Sequence, residues 1–214
     1  MTLKPRIGIS LRVVNADVYN EKRDALSQDW PVFLEKLNCN PIFIPNTLLD
    51  VRSYLQDFNI NGIILSGGGN IGEYSERDKT EKEILDYAVE NKIPVIGICR
   101  GMQVINNYFG GKIEISKNYD HVRKDHLIDI TNESFSSSFK SQHIIVNSYH
   151  SNLIHQNNLG DNLKPFAITQ NDNSIEGFFH TSLPIIGVMW HPERNTNDIS
   201  ELLFRKAFQS IMVK

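Results

Sequence analysis

Cysteine is scarce in this chain of 214 residues: only Cys39 and Cys99 occur. Two thiols do not make a disulfide scaffold, and a free reactive thiol suits a reducing cytoplasm. Net charge is low too, at −3, and no basic stripe or aromatic–basic interleaving is present. That argues against nucleic acid as a partner. No apolar run approaches the length needed to cross a membrane. The opening MTLKPRIGIS has too short an apolar stretch for a signal peptide. The seven histidines show neither HExxH nor Cys/His metal spacing, so neither a metal centre nor a cofactor is expected. Repeats, low-complexity tracts and interdomain linkers are also missing, and the length fits one domain over residues 1–214.

What is present centres on Ile93–Gly111, IPVIGICRGMQVINNYFGG. Ile93–Ile98 is a short apolar run that predicts a buried strand. Met102–Phe109 places Met102, Val104, Ile105 and Phe109 at helical spacing. Gly97 and Gly101 flank Cys99, so strand can turn sharply into helix with the cysteine held out at the apex. The helix N-terminus should favour a thiolate there. Its N–H groups could also receive an oxyanion. Cys39, in LNCNP between a helix and a strand, reads as a bystander.

Trp190-His191-Pro192-Glu193 follows Pro184–Met189, a second buried-strand run. Parallel strand ends line one crevice, so His191 can reach Cys99. Glu193 can then orient the far ring nitrogen. Nucleophile, base and orienter are thereby complete.

Arg6–Ser10, Pro41–Ile44 and Gly62–Leu65 predict further strands. Helices are predicted from near Gln28 through Leu37, over Val51–Asp57 and over Thr80–Glu90, the last opened by a Thr80/Glu83 capping box. This alternation predicts an α/β fold with a parallel sheet and helices on both faces. After Gly111 the segments Lys112–Ile115, Leu127–Ile130, His143–Val146, Lys164–Thr169 and Ser174–Phe179 predict strands, some in hairpins. Ile199–Ile211 closes the chain as a helix. Leu11–Ser27 reads as a long polar connection bordering the crevice. SGGGN at Ser66–Asn70 lacks the ending of a P-loop and reads as backbone brought close to a reacting group.

GICRGMQ and WHPE, in this order, resemble the signatures of class I glutamine amidotransferases and their relatives the γ-glutamyl hydrolases, including the γ-glutamyl-γ-aminobutyrate hydrolase-like branch. SGGGN and VNSYH resemble family segments as well, so the likeness runs from about Arg6 to the last helix. It implies a flavodoxin-like, doubly wound, mostly parallel sheet with a small antiparallel excursion. It also implies an oxyanion hole built from an N–H of Gly68 or Gly69 with that of Arg100. Ser148, Tyr149, His150 and Gln103 fall where the family holds the glutamyl head group. Arg12, Tyr19, Glu21, Arg23, Asp24 and Trp30 match places in the hydrolase branch. Arg12 and Arg23 are thus candidate substrate contacts.

The expected function is cysteine-dependent hydrolysis of a small-molecule γ-glutamyl amide. The leaving group is an amine or a phosphoramidate such as that of γ-glutamyl-CDP-amidate. Arg100, Lys117, His121, Arg123 and Lys124 favour an anionic group. A glutaminase subunit feeding ammonia to a partner synthase is the alternative, and a non-catalytic binding protein on the same fold is a third. The chain is expected to be cytoplasmic and to work without nucleic acid or membrane, and a homodimer is allowed.

Overall fold

The computed structural model describes residues 3–116, 121–194 and 198–212. Its elements in chain order are β1 (Arg6–Ser10), β2 (Arg12–Asn15), β3 (Lys22–Ala25), α1 (Asp29–Lys36), β4 (Asn40–Ile44), α2 (Val51–Asp57) and β5 (Gly62–Leu65). Then come α3 (Ser75–Asn91), β6 (Val95–Ile98), α4 (Arg100–Tyr108), β7 (Glu114–Ile115), β8 (His126–Ile130), α5 (Glu133–Phe139) and β9 (His143–Val146). The remainder is β10 (Asn152–Leu153), β11 (Leu163–Thr169), β12 (Ile175–His180), β13 (Ile185–Val188), α6 (Asp198–Ala207) and α7 (Gln209–Met212).

A nine-stranded sheet runs β4-β1-β5-β6-β13-β12-β11-β8-β9. From β4 to β13 all neighbours are parallel. From β13 to β9 all are antiparallel. The central strands are buried on both faces, which is why they read as unbroken apolar runs. Alternate residues serve opposite layers. Ile64, Ile96 and Ile98 join Trp30, Phe33 and Phe204 from α1 and α6. Ile63, Leu65 and Val95 join Leu55, Ile84, Leu85, Met102 and Ile105 from α2, α3 and α4. The doubly wound expectation is met, and the antiparallel strands extend the same sheet.

Several boundaries differ from expectation for identifiable reasons. Leu11–Ser27 is not a plain connection, because β2 and β3 pair as an antiparallel hairpin within it. Helix α3 starts at Ser75, so Thr80 is no cap; its hydroxyl donates to the Asn46 carbonyl at 2.9 Å. The first turn, SERDK, is polar and carries no apolar period. Helix α5 is obscured in the sequence by four serines, yet Asn132 caps it by accepting from Ser134 N–H at 3.0 Å, and Phe135 and Phe139 are buried. The closing helix divides into α6 and α7.

Candidate active site

Strands β6 and β13 are adjacent and in register, with Val188 opposite Ile98. The Cys99 N–H donates to Val188 O at 2.8 Å, and the chain then turns at once into α4. Cys99 has φ 51° and ψ −104°, a conformation sparsely populated by any side-chain-bearing residue. The flanking glycines make this turn sterically feasible. A Cβ on Gly97 would stand 2.5 Å from Gly101 O, and one on Gly101 would stand 2.1 Å from Leu65 O. The strand-to-helix elbow read from GICRG is therefore present.

The Cys99 and His191 side chains meet beside Gly67, where an added Cβ would stand 3.5 Å from both Cys99 Cβ and His191 Nε2. On the far side of the ring, His191 Nδ1 lies 2.7 Å from Glu193 Oε1. All three residues are buried. Burial works against a thiolate at Cys99, but the hydrogen bond and charge of His191, the charge of His150 and the Arg100 N–H outweigh it, so the thiol pKa is lowered. Burial likewise opposes the imidazolium, yet Cys99 and Glu193 raise His191 to about 9. The two groups stabilise each other as thiolate and imidazolium. Cys39 behaves oppositely: burial pushes its thiol up, and Sγ sits 3.6 Å from Leu37 O.

The glycine loop after β5 faces the same crevice, which Arg12, Trp30, Gln103, Tyr149, His150, Asn152 and Arg194 also line. Gly68 and Gly69 have φ 88° and 71°. The loop is held from behind by Arg77, a buried α3 residue that sequence reasoning missed. Its guanidinium donates to the carbonyls of Ser66 at 2.8 Å, Gly67 at 3.2 Å and Gly68 at 2.5 Å. Glu81 neutralises it at 3.0 Å and also pairs with Arg100. Ser10 completes the network, donating to Glu81 at 2.8 Å and accepting from Ser66 N–H at 3.0 Å. In a trans peptide N–H and C=O point in opposite directions. Carbonyls of Gly67 and Gly68 drawn to Arg77 thus turn the N–H groups of Gly68 and Gly69 the other way.

Gln103 is buried, not exposed; its Oε1 accepts from Asn152 Nδ2 at 3.0 Å. Tyr149 reaches the crevice and carries the Arg194 guanidinium over its ring at 4.3 Å. Asn147, Asn152 and Arg194 are further positions that sequence reasoning gave no role.

Other expected contacts need correction. Ser148 is fully buried away from the crevice, its hydroxyl committed to the His121 carbonyl. Arg23 does not line the crevice; it pairs with Glu21 at 2.7 Å on the exposed hairpin. Lys22 is bound to Glu76 at 2.7 Å, and Asp24 holds the Asn46 side chain at 2.6 Å. The Arg100 side chain is no rim cation, since Asp78 and Glu81 bury and neutralise it. Arg123 and Lys124 are exposed but do not line the crevice, and Lys117 lies outside the described residues. His121 is buried, and it is not isolated. With His126, His150 and Glu176 it forms a group whose ligand atoms lie within 4.8 Å of one another, which the spacing of the histidines along the chain did not show.

The model of the class-I glutamine amidotransferase family matches residues 27–210. The chain is 34% identical to the γ-glutamyl-CDP-amidate hydrolase of Campylobacter jejuni, over 96% of this chain and 98% of that one. It is 32% identical to one of the subunits of the glutamine-hydrolysing GMP synthase of Pyrococcus abyssi, over 70% of this chain and 74% of that one. In fold it is similar to a glutamine amidotransferase from Thermotoga maritima, with a TM-score of 0.69, 16% identity and full coverage of both chains. With the family match spanning most of its length, the chain belongs to the class-I glutamine amidotransferases.

Proposed function

We propose that this protein is a cysteine-dependent hydrolase of γ-glutamyl amide bonds, acting on a γ-glutamyl nucleotide amidate of the CDP-amidate type. The observation that carries the chemistry is the Cys99 elbow facing His191 across the crevice, with Glu193 Oε1 2.7 Å from the far ring nitrogen.

Cys99 Sγ attacks the γ-carbonyl carbon. The developing oxyanion is received by the Arg100 N–H and by Gly68 or Gly69, whose N–H groups are turned away from Arg77. His191 gives its proton to the leaving nitrogen, the C–N bond breaks, and a γ-glutamyl thioester remains. His191, now neutral, takes a proton from water, which attacks the thioester and releases glutamate and the thiolate. Glu193 holds the ring in place through both steps. Gln103, held by Asn152, faces the glutamyl end of the substrate.

The nucleotide reading is supported by likeness to the Campylobacter hydrolase along almost the whole chain. It is supported also by two arginines at the crevice. Arg12 makes no ion pair among the described residues, and Arg194 lies over Tyr149. A guanidinium is suited to bidentate contact with phosphate.

The likeness to a component of GMP synthase favours a second reading, a glutaminase that delivers ammonia to a synthase. Glutamate release from γ-glutamyl-CDP-amidate, a γ-glutamyl polyamine and glutamine separates the two. The nucleotide amidate should give the highest kcat/KM, and Arg12→Ala should lower it for that substrate alone. Equal or better turnover of glutamine, indifferent to Arg12, would replace the first reading with the second.

A further inference from the structure

Behind the crevice wall, four side chains far apart in sequence converge. His121 precedes the Val122–Tyr149 bridge, His126 opens β8, His150 follows β9, and Glu176 lies on β12. All four are buried, and one ligand atom from each lies within 4.8 Å of the others. His121 Nδ1, His126 Nδ1 and Nε2, His150 Nε2 and both carboxylate oxygens of Glu176 have no hydrogen-bond partner. Polar atoms buried in this way have lost their hydration, with only the long approaches of His126 and His150 to Glu176 in exchange.

The opposite edges of two rings are anchored. His121 Nε2 lies 2.9 Å from Asp172 Oδ2, and Asp172 in turn accepts from the Thr169 hydroxyl at 2.6 Å and the Ser174 N–H at 2.9 Å. His150 Nδ1 lies 2.9 Å from the carbonyl of Asn152, so that nitrogen carries the proton. In the neutral rings, the inward nitrogens of His121 and His150 therefore present lone pairs. These lone pairs face a carboxylate, and electron pairs so placed repel unless a cation lies between them. A carboxylate or carbonyl behind the imidazole, as these two rings have, is the arrangement that orients a metal-bound histidine.

Distance separates a metal from a shared proton. His150 Nε2 is 3.3 Å from Glu176 Oε1, and His126 Nε2 is 3.4 Å from Glu176 Oε2. A charge-assisted N–H···O bond would be shorter, about 2.7–2.9 Å. Ligand atoms about 2.0–2.1 Å from a tetrahedral zinc stand about 3.4 Å from one another. Each contact is long for a hydrogen bond and close to one edge of a coordination tetrahedron in which a single carboxylate oxygen is the vertex.

We propose that His121, His126, His150 and Glu176 form a site for a divalent transition metal, zinc by its ligand set of three imidazoles and one carboxylate. Four protein ligands leave no open position, so the ion is structural. It ties the antiparallel half of the sheet to the Tyr149–His150 wall of the crevice, and Asp172 is its outer-sphere carboxylate. The ion takes no part in the bond-making and bond-breaking steps proposed above, although His150 also lines the crevice.

The test uses the full chain, purified without an affinity metal and stripped with a chelator. Zinc titrated into it should bind at one equivalent and raise the melting temperature. Cobalt(II) should give the intense visible bands of a four-coordinate ion. His126→Asn and Glu176→Gln should each weaken zinc binding by more than about 100-fold, and Asp172→Asn by about 10–100-fold. Cys99→Ala should bind zinc as the unmodified chain does. The site is refuted if the stripped chain takes up neither metal stoichiometrically, or if Cys99→Ala removes the binding. Should the two ligand variants fail to fold, an undiminished affinity in Asp172→Asn refutes it equally.

Discussion

Asn147 and His191 hold each other by two hydrogen bonds. Asn147 Nδ2 donates to His191 O, and His191 N–H donates to Asn147 Oδ1, both at 2.8 Å. The end of β13 is thereby pinned to the segment after β9, and the imidazole starts from a fixed backbone. Asn147→Ala leaves a donor and an acceptor of His191 unpartnered. It should lower kcat while KM changes little, and cost about 1–3 kcal/mol in stability. Asn147→Asp, which keeps the acceptor but not the donor, should lie between. Steady-state kinetics and urea unfolding of the two variants check this ordering.

Loss of activity on removing the proposed nucleophile should be close to complete. Cys99→Ala is expected to lower kcat by about 10⁴–10⁶-fold. Cys39→Ala should be nearly silent, because that thiol is buried at a helix end with its pKa raised. His191→Asn should match Cys99→Ala, since residues acting as a unit do not add. Glu193→Gln should cost less, about 10²–10⁴-fold, because part of the ring's orientation survives through Asn147. Intact-mass analysis of slow variants with substrate should reveal a glutamyl thioester. Rapid-quench data showing turnover with no acyl-enzyme would remove the covalent step.

The pH profile follows from the Cys99–His191 pair. Cys99 is lowered and His191 raised to about 9, so the thiolate–imidazolium form exists between the two apparent values. As pH falls through the thiol's value, the nucleophile is protonated and activity is lost. As pH rises through about 9, the proton needed by the leaving nitrogen is lost. A bell in kcat/KM is expected, with its basic limb well above the usual histidine range. Glu193→Gln should move that limb to lower pH, since it removes a group that raises His191. An unmoved limb would assign it to another group.

The elbow was legible because its cause is local. Gly97 and Gly101 must lack side chains to let β6, α4 and β5 approach, and the alternation shows in a few adjacent residues. Strands β5, β6 and β13 were legible because burial on both faces leaves them apolar throughout. The β2–β3 hairpin was not, since its strands are short and mostly exposed and its turn lacks an Asn-Gly signal. Arg77 was read past because a charge on a helix is usually solvated, and only the packed structure shows Glu81 and three loop carbonyls around it. The His121–His126–His150–Glu176 group was hidden for a different reason. Its spacing is set by the order of strands in the sheet, not by any period along the chain.

Gly101→Ala isolates the steric part of the elbow from its chemistry. The new methyl would meet backbone, Leu65 O at 2.1 Å, and no flexible side chain can yield there. Either α4 or β5 must move, at a cost of about 1–3 kcal/mol or more. Urea unfolding should show that loss, and activity should fall with it because the Cys99 apex moves too. Gly72→Ala supplies the contrast. No atom lies within 4 Å of its added methyl, so its strain comes only from φ 87°.

Arg77→Lys tests the proposed role of the glycine loop in receiving the oxyanion. A lysine keeps the charge facing Glu81 but cannot donate to three carbonyls in one plane. The Gly67 and Gly68 peptides then lose the restraint that turns the N–H groups of Gly68 and Gly69 away from α3. If those groups stabilise charge only in the transition state, kcat should fall by up to about 10²-fold while KM stays nearly constant. Arg77→Met removes the charge as well, leaving Glu81 to Arg100 and Ser10 alone, and should destabilise the chain by about 3–5 kcal/mol. A lysine variant with kcat unchanged, or with KM raised in proportion to any loss, would show that the loop binds substrate without acting on the oxyanion.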